Sequence, residues 1–270
     1  MKLYLQHIIP LLAIGLFSAC VGDVELPAAE KGSFSLGIVN GDLTVEVETR
    51  AAHELTAVEA ADYTVILTEG DETVWSKRYA DIVDADRTQP LGSGYRVSAE
   101  NCSEAEAESL NDGWGCLRNA GTSDAFAIVS GEITPVQVLC SMANAGLCVM
   151  FDETFTNYFS EYAVTTDDRR ALKFNAGNAA EFDSNHQLTR GSIAYYNTDE
   201  SGTCQVSVII SASAGWDGTV RLTRQLSLPK GRITRLRVRL TGSEPTEGNI
   251  GLSINTSDFD EQGDEEVVLE

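Results

Sequence analysis

A period of two runs through almost the whole of this chain and limits what it can fold into. "SFSLGIV" sets Phe34, Leu36 and Ile38 on one face, and "DYTVILT", "YRVSA", "DAFAIVS" and "TPVQVLC" repeat the pattern with turn residues between them. Successive side chains of a strand point to opposite faces, so such segments bury one face and wet the other. After "SMANAG" the pattern restarts in "LCVMFD", "YAVTT", "ALKFN", "CQVSVIISA", "GTVRLTRQLSL", "ITRLRVRL" and "GNIGLSIN", with "EEVVLE" as one further candidate. No helical segment recurs between strands to carry parallel crossovers, so the expected fold is all-β: two tandem antiparallel β-sandwich domains. Asn40-Gly41 is a strong hairpin signal leading into "LTVEVE", with Leu43, Val45 and Val47 in phase. In "DETFTNYFSEY" the aromatics Phe155, Tyr158, Phe159 and Tyr162 stand at helical spacing, and one short helix is predicted there. "AAHELTAVEAADYTVILT" carries a second helical pattern, overlapping a strand signal.

The front of the chain follows other rules. In "LLAIGLFSACVGDVELP" the apolar run stops at a cysteine and turns acidic at once. It is shorter than the roughly 20 residues a membrane-spanning helix needs. With Lys2 ahead of it and Ser18-Ala19 before Cys20, it reads as a secretory signal peptide. Phe17-Ser18-Ala19-Cys20 resembles the lipobox of bacterial lipoproteins, which makes Cys20 the acylated first residue of the mature chain; an ordinary cut after Ala19 is the alternative. Each buried acyl methylene contributes about 0.8 kcal/mol, so two or three chains hold a protein on a membrane without a spanning helix. The expected organisation is a signal peptide at 1–19, a lipidated linker at 20–31, a first sandwich at 32–142 and a second at 143–270. The link near 143 has no proline or serine-rich tract, so the two sandwiches should touch.

Charge removes one class of partner. With 41 acidic against 19 basic residues and a formal charge of −22, the chain lacks the basic patch that nucleic-acid binding requires. Its densest basic run, "KGRITRLRVR", alternates Arg with Ile, Leu and Val, as a strand with one charged face would.

Five cysteines remain beyond Cys20: Cys102, Cys116, Cys140, Cys148 and Cys204. No C-x-x-C occurs and the mature chain has only His53 and His186, so zinc-ligand spacing is absent and no metal or other cofactor is expected. In an oxidising compartment, Cys102 and Cys116 are expected to close the polar loop "SEAEAESLNDGWG" with a disulfide, stabilising by about 3 kcal/mol in the chain-entropy model. The odd count leaves at least one thiol free. "DFDEQGDEEVVLE" places Asp258, Asp260, Gln262 and Gly263 as in an EF-hand loop, but Leu269 stands where the bidentate Glu belongs, so a solvated acidic turn is expected.

"GSFSLGI", "ADYTVILTEGDETVWSKRYADI", "GSGYRVSAE", "SGEITPVQVLCSMANAGLCVMFDETFTNYFSEYAVTT" and "LSLPKGRITRLRVRLTGSEPTEGNIGLSIN" together resemble the fimbrillin-related (type V pilus-like) lipoproteins of Gram-negative anaerobes, including a subgroup of unknown function. The resemblance implies two transthyretin-like Greek-key sandwiches and a lipidated N-terminus. It also implies an outer-membrane, surface-exposed location. The role implied is non-catalytic, in adhesion or in fimbrial assembly or anchoring, with other fimbrial subunits, host proteins or glycans as partners. It further implies a protease cut after a basic residue near the N-terminus, for which Arg50 is the candidate; an uncut, monomeric anchor or adhesin is the alternative.

Catalysis has little to build on. No G-x-S-x-G elbow occurs, and neither histidine sits in a nucleophile motif. A carbohydrate-binding lipoprotein is the second function class, because Trp216 in "SAGWDGT" stands in turn-like sequence where an exposed indole could stack on a sugar. Trp114, beside the expected disulfide, is expected to plug a loop instead.

Overall fold

The computed structural model describes residues 30–40, 53–54, 58–184, 188–214, 219–241 and 251–257. Its first strands are β1 (Lys31–Asn40), β2 (His53–Glu54), β3 (Thr64–Glu69), β4 (Glu72–Arg78) and β5 (Thr88–Pro90), with helix α1 (Asp84–Arg87) ahead of β5. Then come β6 (Gly92–Glu100), helix α2 (Glu104–Ser109), β7 (Asn119–Thr122), β8 (Phe126–Ile128) and β9 (Ile133–Met142). The second half holds β10 (Ala145–Phe151), helix α3 (Glu153–Thr156), β11 (Glu161–Thr166), β12 (Lys173–Phe174), β13 (Glu181–Phe182) and β14 (Leu188–Arg190). It continues with β15 (Ala194–Tyr196), β16 (Thr203–Ser213), β17 (Thr219–Pro229), β18 (Ile233–Thr241) and β19 (Gly251–Ser257). The chain is all-β; among the described residues the helices are the short α1, α2 and α3 and one 3-10 turn at Tyr79–Asp81.

Alternation in the sequence becomes alternation of burial. In β1, Phe34, Leu36 and Ile38 are buried while Ser35 is exposed; β9 buries Val136, Val138, Cys140 and Met142 and exposes the residues between. The nine described strands of the first half join one sheet, in the order β2-β1-β9-β7-β6-β3-β4, with β5 added on β1 and β8 on β6. Its inward side chains, among them Phe34, Ile38, Val65, Leu67, Tyr95, Val97 and Val138, form one apolar cluster. The second half builds two four-stranded sheets, β15-β10-β18-β19 and β12-β11-β16-β17, and a small β13-β14 pair. Both four-stranded sheets contribute to a second cluster, through Leu147, Val149, Leu236 and Val238 from one and Val164, Val208, Ile210 and Leu228 from the other. Burying each such side chain contributes about 1.5–3 kcal/mol, so both clusters are substantial sources of stability.

Pairing departs from the expected antiparallel scheme in two places. β1 runs parallel to β9 from Ser33 to Asn40, and β10 runs parallel to β18 from Gly146 to Phe151. A parallel pair needs a connection of a dozen residues or more. The strands between β1 and β9, and between β10 and β18, supply that length without a crossover helix. Each half is thus closed by its opening strand lying beside one of its last.

The helix predicted within 152–162 is present but short. Asp152 caps α3 by accepting from the Thr154 amide, and the turn extends to Phe159, whose amide donates to the Phe155 carbonyl at 3.0 Å. Ser160 N then donates to Ser213 O, and the chain joins β16 as strand β11. Strand pairing ends the helix while Phe155 and Phe159 remain buried. Of the stretch with the second helical pattern, His53–Glu54 is strand β2, residues 58–62 form turns, and β3 follows with Val65 and Leu67 buried at period two; residues 51–52 and 55–57 lie outside the described residues. The hairpin at Asn40-Gly41, the segment Leu43 to Val47, the acidic turn at Asp258 and the strand expected at 266–269 lie outside the described residues.

Candidate functional site

The most elaborate polar construction lies on the insert between β6 and β7, residues 101–118. Ser103 starts α2 with a reciprocal cap: its Oγ accepts from the Glu106 amide, and the Glu106 carboxylate accepts from the Ser103 amide at 2.9 Å. The Ser103 amide, and with it the Ser103 hydroxyl, donates to the Glu106 carboxyl and holds it below the usual carboxylate range. Ala107 is the helix's buried anchor. After Leu110 the backbone turns through left-handed conformations at Asn111, Asp112, Gly113 and Gly115. Asn and Asp tolerate that region and Gly enters it freely, so "NDGWG" suits the turn. Gly115 is obligatory on a second count: a Cβ there would lie 2.3 Å from the Ala107 carbonyl oxygen.

The base of the insert is held before any covalent link. Asn101 N donates to Asn119 O, Asn119 N donates to Asn101 Oδ1, and Asn101 Nδ2 donates to Leu117 O. These bonds set the two stems side by side and bring the half-buried Cys102 and Cys116 together, with Sγ atoms 3.1 Å apart as free thiols. Burial, reinforced by the neighbouring Cys116, pushes the Cys102 thiol up to about 12.

The tip of the insert seats on the second half. Trp114 packs edge-on against Phe174, centroids 4.9 Å apart, and joins the second apolar cluster; its carbonyl accepts from Tyr195 N at 2.8 Å. Arg170, whose side chain is only 10% exposed, donates from Nη1 to Gly113 O and to Tyr195 O. Its guanidinium also lies 4.0 Å over the Tyr196 ring, with Asp168 at 3.6 Å. Glu108 accepts from Asn197 N and from Arg169 Nη2, while Asn197 Nδ2 donates to Glu104 O.

Asn144, fully buried where the halves meet, completes the junction. Its Oδ1 accepts from Arg118 N, its Nδ2 donates to Cys116 O, and its carbonyl accepts from Gly231 N. Arg118 in turn pairs with Glu100 at 2.7 Å and Glu104 at 3.3 Å. Chemically this constellation can hold two β units in one orientation.

Of the residues singled out from sequence, Cys102 and Cys116 are brought together; Cys20, Arg50 and Trp216 lie outside the described residues. Trp114, partly buried, packs against the edge of the second core. Burial drives Cys140 to about 11 and Cys148 to about 12, and raises Cys204 as well. Cys140 and Cys148 are also closed off from solvent, which makes them poor nucleophiles and metal ligands at neutral pH. Among the described residues, no three His, Cys, Asp or Glu side chains gather as a metal site, and no helix is long and apolar enough to cross a membrane. Sequence reasoning missed α2, although Ser103-x-x-Glu106 is the capping pattern that could have revealed it. It also missed Arg170 and Asn144, whose partners are too distant in sequence to leave a local signal.

Comparison with known proteins gives a family and a set of distant folds. A family described as "Domain of unknown function (DUF4493)" matches residues 30–268. No curated protein matches the chain. Among solved structures, a fimbrial assembly protein from Parabacteroides distasonis is 12% identical with a TM-score of 0.40, covering 84% of this chain and 97% of that one. The fimbrial anchor protein Mfa2 from Porphyromonas gingivalis is 9% identical with a TM-score of 0.41, covering 82% of this chain and 98% of that one.

Proposed function

Because the chain belongs to the DUF4493 family, whose description names no activity, we propose a function from its own residues. The protein is a non-catalytic, lipid-anchored surface protein of fimbrillin-like type, acting in adhesion or in fimbrial assembly or anchoring. It is built as two β-sandwich domains in tandem, meeting near residue 143.

The observation that carries this reading is the junction. A protein that works by contact at a cell surface must pass force from its anchor to its far end. Two β units pinned through Asn144, Arg170, Glu108 and Trp114 suit that task better than units on a free linker. The lipobox-like "FSAC" supports the anchor, and the acidic surface supports solubility outside the cell.

The test of the anchor is Cys20→Ala. The wild-type chain should fractionate with membranes and take up an acyl-chain label; the variant should be soluble and unlabelled. Membrane-bound, labelled Cys20→Ala protein would refute the anchor.

A further inference from the structure

We infer that Cys102 and Cys116 are a disulfide-forming pair whose closure clamps the 102–116 insert onto the second half, so that the oxidation state of this pair governs how firmly the two halves are locked.

Three observations carry this. The sulfurs lie 3.1 Å apart, about 1 Å beyond the covalent S–S length of roughly 2.05 Å, and the stems carrying them are already aligned by the Asn101 and Asn119 bonds. Closure therefore asks little of the backbone. Both thiols are half-buried, and so within reach of an oxidant, whereas Cys140 and Cys148 are buried. Finally, the loop that the bond would close carries the first half's Trp114, Gly113, Glu108 and Glu104 contacts to the other half. Closing its two ends removes most of the open conformations that the insert would gain on letting go.

The chemistry is thiol–disulfide exchange with a disulfide-bearing oxidant. One cysteine thiolate attacks the oxidant's S–S bond, forming a mixed disulfide and expelling one thiolate. The second cysteine thiolate then attacks the protein sulfur of that mixed disulfide, forming the Cys102–Cys116 bond and expelling the other thiolate. The protein loses two protons and two electrons, and the oxidant gains them as two thiols. The proposal rests on the surface-protein reading only in requiring an oxidising compartment. A test on purified full-length chain stands apart from location.

Purified protein is split, one part treated with oxidised glutathione and the other with a phosphine reductant, and both are mapped by non-reducing peptide mass spectrometry. The oxidised part should be lighter by two hydrogens, with the Cys102 and Cys116 peptides linked and Cys204 unlinked. Amide hydrogen exchange at Tyr195 and Asn197, which donate to the insert, should be about tenfold or more faster in the reduced part. Free thiols at 102 and 116 after oxidation, or a bond from either to Cys204, would overturn the pairing. Equal exchange at Tyr195 and Asn197 in the two parts would overturn the clamp. Because wild-type chain is compared in two redox states, the result does not depend on whether Cys102→Ser folds; Cys204→Ser should still form the bond and show the same exchange difference.

Discussion

Asn144 shows how much of the junction hangs on single side chains. With no exposed surface, it satisfies the Arg118 amide and the Cys116 carbonyl through its own amide group. Asn144→Ala leaves both backbone groups without that partner in a buried setting, at about 1–3 kcal/mol each. Denaturant unfolding should therefore show a loss of about 2 kcal/mol or more; a change within about 0.5 kcal/mol, as at an ordinary surface site, would mean that water or neighbours replace it freely. Some residue-scale features were readable in advance. The spacing of Cys102 and Cys116 around a polar loop announced their meeting, whereas the left-handed turn at "NDGWG" was not predicted, although Asn, Asp and Gly are the residues that suit it. Arg170 was not readable, because its acceptors at Gly113 and Tyr195 come from two different stretches of chain and nothing beside it marks them.

At the scale of elements, the turns and helix starts are fastened by carboxylates. Asp86, Glu106, Asp152 and Asp199 each hold a carboxyl below the usual range, and in every case hydrogen bonds are the largest cause: from Lys77 for Asp86, from the Ser103 amide for Glu106, from the Thr154 amide for Asp152 and from the Ser201 hydroxyl for Asp199. Groups with lowered folded values bind protons more weakly in the folded than in the unfolded chain. Their contribution is complete above the unfolded range of about 4 and is lost as pH falls through the folded values. Thermal unfolding should thus be insensitive to these groups between pH 5 and 7 and drop progressively below about pH 4. Asp199→Asn should flatten part of that drop, and an acid limb identical to wild type would remove Asp199 from the account. The strands were largely legible, since Val65, Val97, Val138 and Ile210 follow the period-two pattern into the cores. The length of α3 was not, because the pull of Ser213 on Ser160 that ends it comes from more than fifty residues away.

For the whole molecule, the sequence displayed two runs of strands and a break near residue 143, and each half has its own apolar cluster. What it could not display is partnership: β1 lies parallel to β9 and β10 parallel to β18, choices made by packing across most of each half and not by any local motif. The central claim is that this all-β protein works outside the cell, held by its N-terminal lipid. The most direct test is protease shaving of intact cells, with intact mass and N-terminal sequencing of the protein taken from its native envelope. The account predicts that its peptides are released without permeabilising the outer membrane and that the full-length chain begins at an acylated Cys20. A start at Ala51 in detergent-resistant oligomers would instead identify a polymerising subunit cut at Arg50. Peptides protected until the envelope is opened, on a chain without lipid, would contradict the claim.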